Sequence, residues 1–252
     1  MNKRPRWLSD FLDKIALIVT GIVAWAILAS LSGPQVLTGP VPTMRYIGVL
    51  FADPDFWQNV WATLEAFTLA LVIAWTGGVA IGLALGAHRL TGQILEPILA
   101  GLYSIPKITL YPVILLIFGL TLSARVAFGA IHGIIPVAIF TMTAVNSVRP
   151  IHIRAAQSMR LGAMKTVWYV MVPACLPGIM SGLRVGFSLT LLGTLLGEMF
   201  ASQHGIGFLL SNAMQTDNTK LIVALAVLLV ATATVAGNIL IMIDNRFHRH
   251  IV

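Results

Sequence analysis

The chain has 252 residues, of which 58% are hydrophobic and 10% charged, with a formal net charge of +7. A soluble domain carries about 25% charged residues, so a chain this apolar cannot cover a water-facing surface, which excludes a soluble enzyme, a nucleic-acid-binding domain and a disordered chain. A membrane β-barrel is excluded as well, because its strands alternate apolar and polar residues and keep overall hydropathy modest. An all-α, polytopic membrane protein remains.

A bilayer core about 30 Å thick needs roughly 20 apolar residues per helix. The first such run, 15–31, follows Lys3, Arg4, Arg6 and Lys14 and reads as a signal anchor and first helix. Pro34, Pro40, Pro42 and Pro54 punctuate the next connection, which holds a short helix around 44–51. The second span opens at Trp57 and Trp61, residues suited to the membrane interface, and closes near Gly86. A third span covers 97–120, a fourth 124–145, a fifth 179–200 and a sixth 221–243. The stretch 146–178 is too basic to cross. The chain is thus one transmembrane domain: an anchor with its connection (1–56), a core (57–243) containing the loop 146–178, and a tail (244–252).

Six spans put both termini on one side. Lys3, Arg4, Arg6, Lys14, Arg89, Arg149, Arg154, Arg160, Lys165, Arg184, Arg246 and Arg249 share that side, against Arg45, Arg125 and Lys220 opposite. Cytoplasmic loops are enriched in Lys and Arg, so the termini and the basic loop face the cytoplasm, against anionic headgroups.

Within the spans, Gly78, Gly82 and Gly86 recur every four residues, which aligns them on one helix face and lets another backbone approach closely. That face serves packing within the chain, or a subunit interface or pore seam. Pro106 and Pro112 each remove a backbone donor and tend to kink the third span. Broken helices are tolerated at membrane depth where they are buried in protein or line a cavity. Lys107 lies beside the first kink, about 15 Å from one end at 1.5 Å per residue. A charge there marks function, unless it snorkels or pairs with a carboxylate. Glu65 and Glu198 fall near the ends of their helices, where solvation is easy, and His132 falls nearer mid-helix. These four are the candidates for a solute pathway. The single cysteine, Cys175, excludes a disulfide framework, and no HExxH or GxSxG motif signals a metal or nucleophile site. The polar residues alone also admit an ion-coupled secondary transporter using Glu65, Lys107 or His132, or an intramembrane enzyme with His132 and Glu198 as acid–base groups.

The basic loop is the most informative segment. Residues 154–159 favour a short helix, Gly162 a turn and 163–171 a second helix, with Pro173 and Pro177 punctuating the approach to the fifth span. Two short helices held below a membrane bundle form a knob suited to docking a partner.

This loop resembles that of the permease subunits of binding-protein-dependent ABC importers, whose hallmark is Glu-Ala-Ala, a Gly six residues after the Glu, and a later Leu-Pro. Ala155 and Ala156 match the alanines and Val172–Pro173 the Leu-Pro, while Pro177, Gly178, Ile179, Gly182, Leu183 and Arg184 continue the pattern. Arg154 stands in place of the Glu and Arg160 in place of the Gly, which shifts the expected turn to Gly162. Ser104, Ile105, Pro106 and Lys107 with Leu110, Pro112, Phe118 and Gly119 resemble the third helix of the nitrate/sulfonate/taurine branch. Gly197, Glu198 and Met199 with Gly205, Ile206 and Gly207 extend the likeness.

The resemblance implies a type I importer permease in a bacterial inner membrane. It implies two permease copies as a homodimer, two separate ATPase subunits and an extracytoplasmic solute-binding protein as partners. It makes residues 154–165 the coupling element, with Arg154, Ala155, Ala156, Ser158, Met159, Arg160, Gly162 and Lys165 as its contacts. No cofactor is expected on this chain, which has no GxxxxGK[ST] phosphate loop; ATP and Mg belong to the ATPase partner. The implied substrate is a small anion such as a sulfonate, nitrate or carboxylate.

Overall fold

The computed structural model describes residues 6–33, 35–87 and 89–248, and every regular element among them is helical. In chain order these are α1 (Arg6–Ser32), α2 (Pro40–Ala52), α3 (Pro54–Ala87), α4 (Arg89–Ser104), α5 (Tyr111–Phe118), α6 (Leu122–Asn146), α7 (Pro150–Ser158), α8 (Ala163–Thr166), α9 (Val172–Ala201), α10 (Ile206–Gln215) and α11 (Thr219–His248). A 3₁₀ turn, Lys107–Leu110, precedes α5, and a π turn, Val167–Met171, joins α8 to α9. Five helical runs are long and apolar enough to cross a bilayer, and a sixth results if α4 and α5 count as one broken span. The fold is therefore all-α and polytopic.

Three sequence expectations change. The third span, read as 97–120, is a helix beginning at Arg89 that stops at Ser104, turns through 83° and resumes as α5. The break falls at Ile105–Pro106. Pro112 makes no kink of its own, because it occupies the first turn of α5, where a missing N–H costs nothing. The fifth span begins earlier than 179. Pro173 likewise sits in the first turn of α9, Pro177 is carried inside it, and the helix runs unbroken from Val172. The apolar helical run Met164–Phe200 is 37 residues long. At 1.5 Å per residue it exceeds a bilayer core of about 30 Å, so its first turns extend beyond the membrane. The segment after Gly205, read only as a motif, forms α10.

The chain divides into two compact units, Met1–Trp57 with Leu210–Val230, and Gln58–Leu209 with Ala231–Val252. In the first, Pro40 opens α2 and the Thr43 hydroxyl donates back to the Gly39 carbonyl at 2.8 Å. Trp25 Nε1 donates to the Thr38 carbonyl at 3.0 Å, and Thr219 Oγ1 to the Gln35 carbonyl at 2.8 Å. Phe51, Phe56 and Trp57 pack together with tilted and edge-on rings, with Trp57 Nε1 donating to the Phe51 carbonyl.

In the second unit α6 is the central helix: 61% of its apolar window is buried, more than for any other candidate span among the described residues. Small residues let its neighbours approach. A Cβ on Gly78, Gly82 or Gly86 of α3 would overlap Val137, Thr141 and Val145 of α6 in turn. On another side of α6, Gly178, Gly182 and Gly186 of α9 meet Ala144, Phe140 and Val137. Gly129 and Gly133 of α6 fit against Thr194 and Thr190 of α9 and against Ala70 and Ala74 of α3. Lipid tails supply no hydrophobic drive for helix association, so this close backbone packing is what holds the three helices together.

Candidate functional site: the basic helical knob and the clasp at the far end of α9

The knob is built from local rules. Arg149 is extended and Pro150 starts α7, where its fixed φ is preorganised for a helix. At the other end the orphan carbonyls of Gln157 and Ala156 receive the N–H groups of Arg160 and Leu161, at 2.9 and 3.0 Å. These are the paired 5→2 and 6→1 bonds of a Schellman turn, which requires a left-handed residue between helix end and exit. That residue is Arg160, with φ +52°. The turn is therefore not shifted to Gly162 as the sequence suggested. Gly162 instead accepts from the Thr166 N–H at 3.0 Å and opens α8. The reason is geometric: the carbonyls of α7 fix which residue must be left-handed, whichever residue stands there.

Ala156 is fully buried and anchors the knob. Arg154, Ala155, Ser158, Met159, Arg160, Gly162 and Lys165 are exposed. The Ser158 hydroxyl is turned back onto the Arg154 carbonyl at 3.0 Å.

At the far end of α9, a carboxylate is buried. The sequence put Glu198 where solvation is easy, yet it is 0% exposed. Its Oε2 accepts from the Thr63 hydroxyl at 2.9 Å and the Gly207 N–H at 3.0 Å, and Arg125 Nη1 stands 3.9 Å from Oε1. The Thr63 hydroxyl oxygen in turn accepts from the Ile206 N–H at 2.8 Å, and Asn59 Oδ1 from the Gly205 N–H at 2.8 Å. Gly205 has φ +118°, and a Cβ there would strike the Glu198 carboxyl group. Glu198 thus ties the start of α10 to α3 and α6. Burying a charge is tolerable only with such partners.

The other candidates are dispersed. Lys107 is half-buried at the α4–α5 break; its Nζ donates to the Tyr103 carbonyl at 3.1 Å and lies 5.0 Å from the Tyr103 ring centre. His132 Nδ1 is 2.8 Å from the Phe128 carbonyl, its ring edge-on to Phe128. Glu65 is exposed. Among the described residues no hydrogen bond or ion pair joins Lys107, His132, Glu65 and Glu198 to one another, and no group of three His, Cys, Asp or Glu is placed to hold a metal.

Sequence reasoning missed Asn59 and Thr63. Their signal was a pair of polar residues one turn apart on a predominantly apolar helix. It also missed Gly129 and Gly133, whose spacing repeats that of Gly78 and Gly82.

A family model described as "Binding-protein-dependent transport system inner membrane component" matches residues 76–250. The chain is 30% identical over 174 residues to the taurine transport system permease protein TauC of Escherichia coli (strain K12). That match covers 69% of this chain and 63% of the relative's length. It is 33% identical over 217 residues to the riboflavin transport system permease protein RibX of Chloroflexus aurantiacus, covering 84% of this chain and 81% of that protein. Its fold is similar to that of a chain in the inward-facing MetNI methionine ABC transporter, with TM-score 0.61 and 19% identity. That likeness covers 79% of this chain and 99% of the other, and at this identity it bears on the fold alone.

Proposed function

Since the chain belongs to the family of binding-protein-dependent transport system inner membrane components, we propose that it is the permease subunit of an ATP-driven ABC importer. In this reading it forms the solute pathway, as a homodimer, across a bacterial inner membrane, a solute-binding protein delivers the substrate, and two separate ATPase subunits supply the energy. ATP and Mg act on those subunits, and the knob at residues 154–165 transmits their closure. The observation that carries the reading is this knob: two short helices joined by a hydrogen-bonded turn, with cations exposed, between the central helix α6 and α9.

Topology follows from charge. Counting α4–α5 as a span gives six crossings and gathers twelve of the sixteen Lys and Arg residues on the side of the termini and the knob. Counting it as re-entrant gives five crossings and divides the cations almost evenly. The positive-inside rule supports six, with the knob and both termini cytoplasmic.

For substrate, we propose a small anion such as a sulfonate, nitrate or carboxylate. The taurine relative supports this class. The riboflavin relative favours a second reading, a heterocyclic vitamin carried by the same machinery. Purification of the full chain from its own membranes tests the role. An ABC ATPase should co-purify in a ratio of one per permease copy; a chain isolated alone that still moves solute down an imposed ion gradient would refute it.

A further inference from the structure

No Asp or Glu occurs between Glu96 and Glu198, so the whole knob is cationic. Arg149, His152, Arg154, Arg160 and Lys165 are all exposed, and none makes an ion pair among the described residues. Met159 and Met164, 66% and 71% exposed, accompany them. Exposed apolar side chains interspersed with cations are the composition of a protein-docking surface.

Arg160 adds a second observation. Left-handed backbone disfavours any side chain with a Cβ, and glycine would close this Schellman turn without strain. Here the strained position carries a long cation instead, and among the described residues its guanidinium makes no ion pair that would repay the strain. Strain kept at an exposed turn points to function. Anionic lipid would not require it, because headgroups attract any nearby Lys or Arg through a diffuse field. A cation fixed at the apex of a hydrogen-bonded turn suits a shaped protein surface.

We propose that the knob is read by charge: Arg154 and Arg160 pair with carboxylates rimming an acidic groove on the ATPase subunit, and Met159 and Met164 pack into its floor. This rests on the permease reading above and specifies the chemistry of its partner. It also accounts for two cations standing where the resembled loop pattern has Glu and Gly.

The test uses full-length protein in nanodiscs of phosphatidylcholine, titrated with the purified ATPase subunit of the same transport system. Arg160→Glu and Arg154→Glu should each weaken binding by about ten- to a hundredfold, the range of a lost charge pair plus like-charge repulsion. Arg160→Gly keeps the turn and removes the charge, so it should weaken binding less and flatten its salt dependence. An Asp or Glu to Lys change in the groove of the ATPase should restore binding to Arg160→Glu. Wild-type affinity in both Glu variants would overturn the proposal. So would variants that lose only their attachment to phosphatidylglycerol vesicles, which would assign the cations to lipid. Absence of ATPase binding by the wild-type chain would instead sink the permease reading itself.

Discussion

Gly133 is a tightly constrained position in the helix core. It lies on α6 between two neighbours, and a Cβ there would meet Ala74 Cβ of α3 at 2.8 Å, the Gly186 carbonyl oxygen of α9 at 3.2 Å, and the Thr190 hydroxyl. The first distance is shorter than carbon atoms tolerate; the Thr190 hydroxyl can rotate away, but Ala74 Cβ is fixed to the α3 backbone and the Gly186 oxygen to that of α9. Gly133→Ala should therefore push α3 and α9 apart. Overpacking of this kind costs about 1–3 kcal/mol, and a methyl wedged between two helices belongs at about 3 kcal/mol, the upper end. At about 2–4 °C per kcal/mol for a chain of this size, the loss in melting temperature is about 6–12 °C. Gly101 and Gly48 are the controls, since nothing lies within 4 Å of a Cβ at either. Alanine there should be neutral or stabilising by up to about 1 kcal/mol, from helix propensity alone. Thermal unfolding of the three variants in detergent, followed by fluorescence size-exclusion, reads the difference. If Gly133→Ala melts with the two controls, the close-packed α3–α6–α9 core is wrong.

Three further outcomes follow from the same geometry. Arg160→Gly should raise stability by about 1 kcal/mol, because the left-handed backbone penalty of about 1–2 kcal/mol disappears while the unfolded chain gains some freedom; chemical denaturation of the two proteins checks it. Glu198→Ala should cost about 3 kcal/mol, since the Thr63 hydroxyl and the Gly207 N–H lose their acceptor and Arg125 loses its neighbouring carboxylate. Thr63→Val should add little on that background, and a double-mutant cycle with purely additive losses would deny the clasp. Cys175, 3% exposed with its thiol turned toward the Ala144 carbonyl, should resist maleimide in intact membranes and react once the protein is unfolded in dodecyl sulfate; rapid labelling in the native state would contradict its burial.

Composition made the helical membrane class legible, because hydropathy is a bulk property that no later folding step can alter. Gly78, Gly82 and Gly86 were legible as a close-packed face, but not which helix would meet it, since one-dimensional spacing carries no partner. Prolines were over-read. Pro106 marks a real break, whereas Pro112 and Pro173 start helices, and the two roles differ only in which neighbouring carbonyls already have donors. Arg160 was legible as an exception to a family pattern, yet the position of the turn was not, because Gly162 offered an easier left-handed residue and only the carbonyls of α7 decide between them. Glu198 looked solvated from its place near a helix end. Its burial depends on Thr63 and Gly207, which lie far from it or beyond a chain reversal and reach it only in three dimensions.

The central claim is that this chain conducts solute under the control of a separate ATPase that engages the 154–165 knob. Proteoliposomes containing the full chain, its ATPase subunit and its binding protein, with radiolabelled solute outside, measure it directly. Uptake should require ATP and all three proteins, and should collapse in the Arg160→Glu variant while the protein remains folded. Uptake by the chain alone, driven by a proton or sodium gradient and indifferent to ATP, would contradict the account.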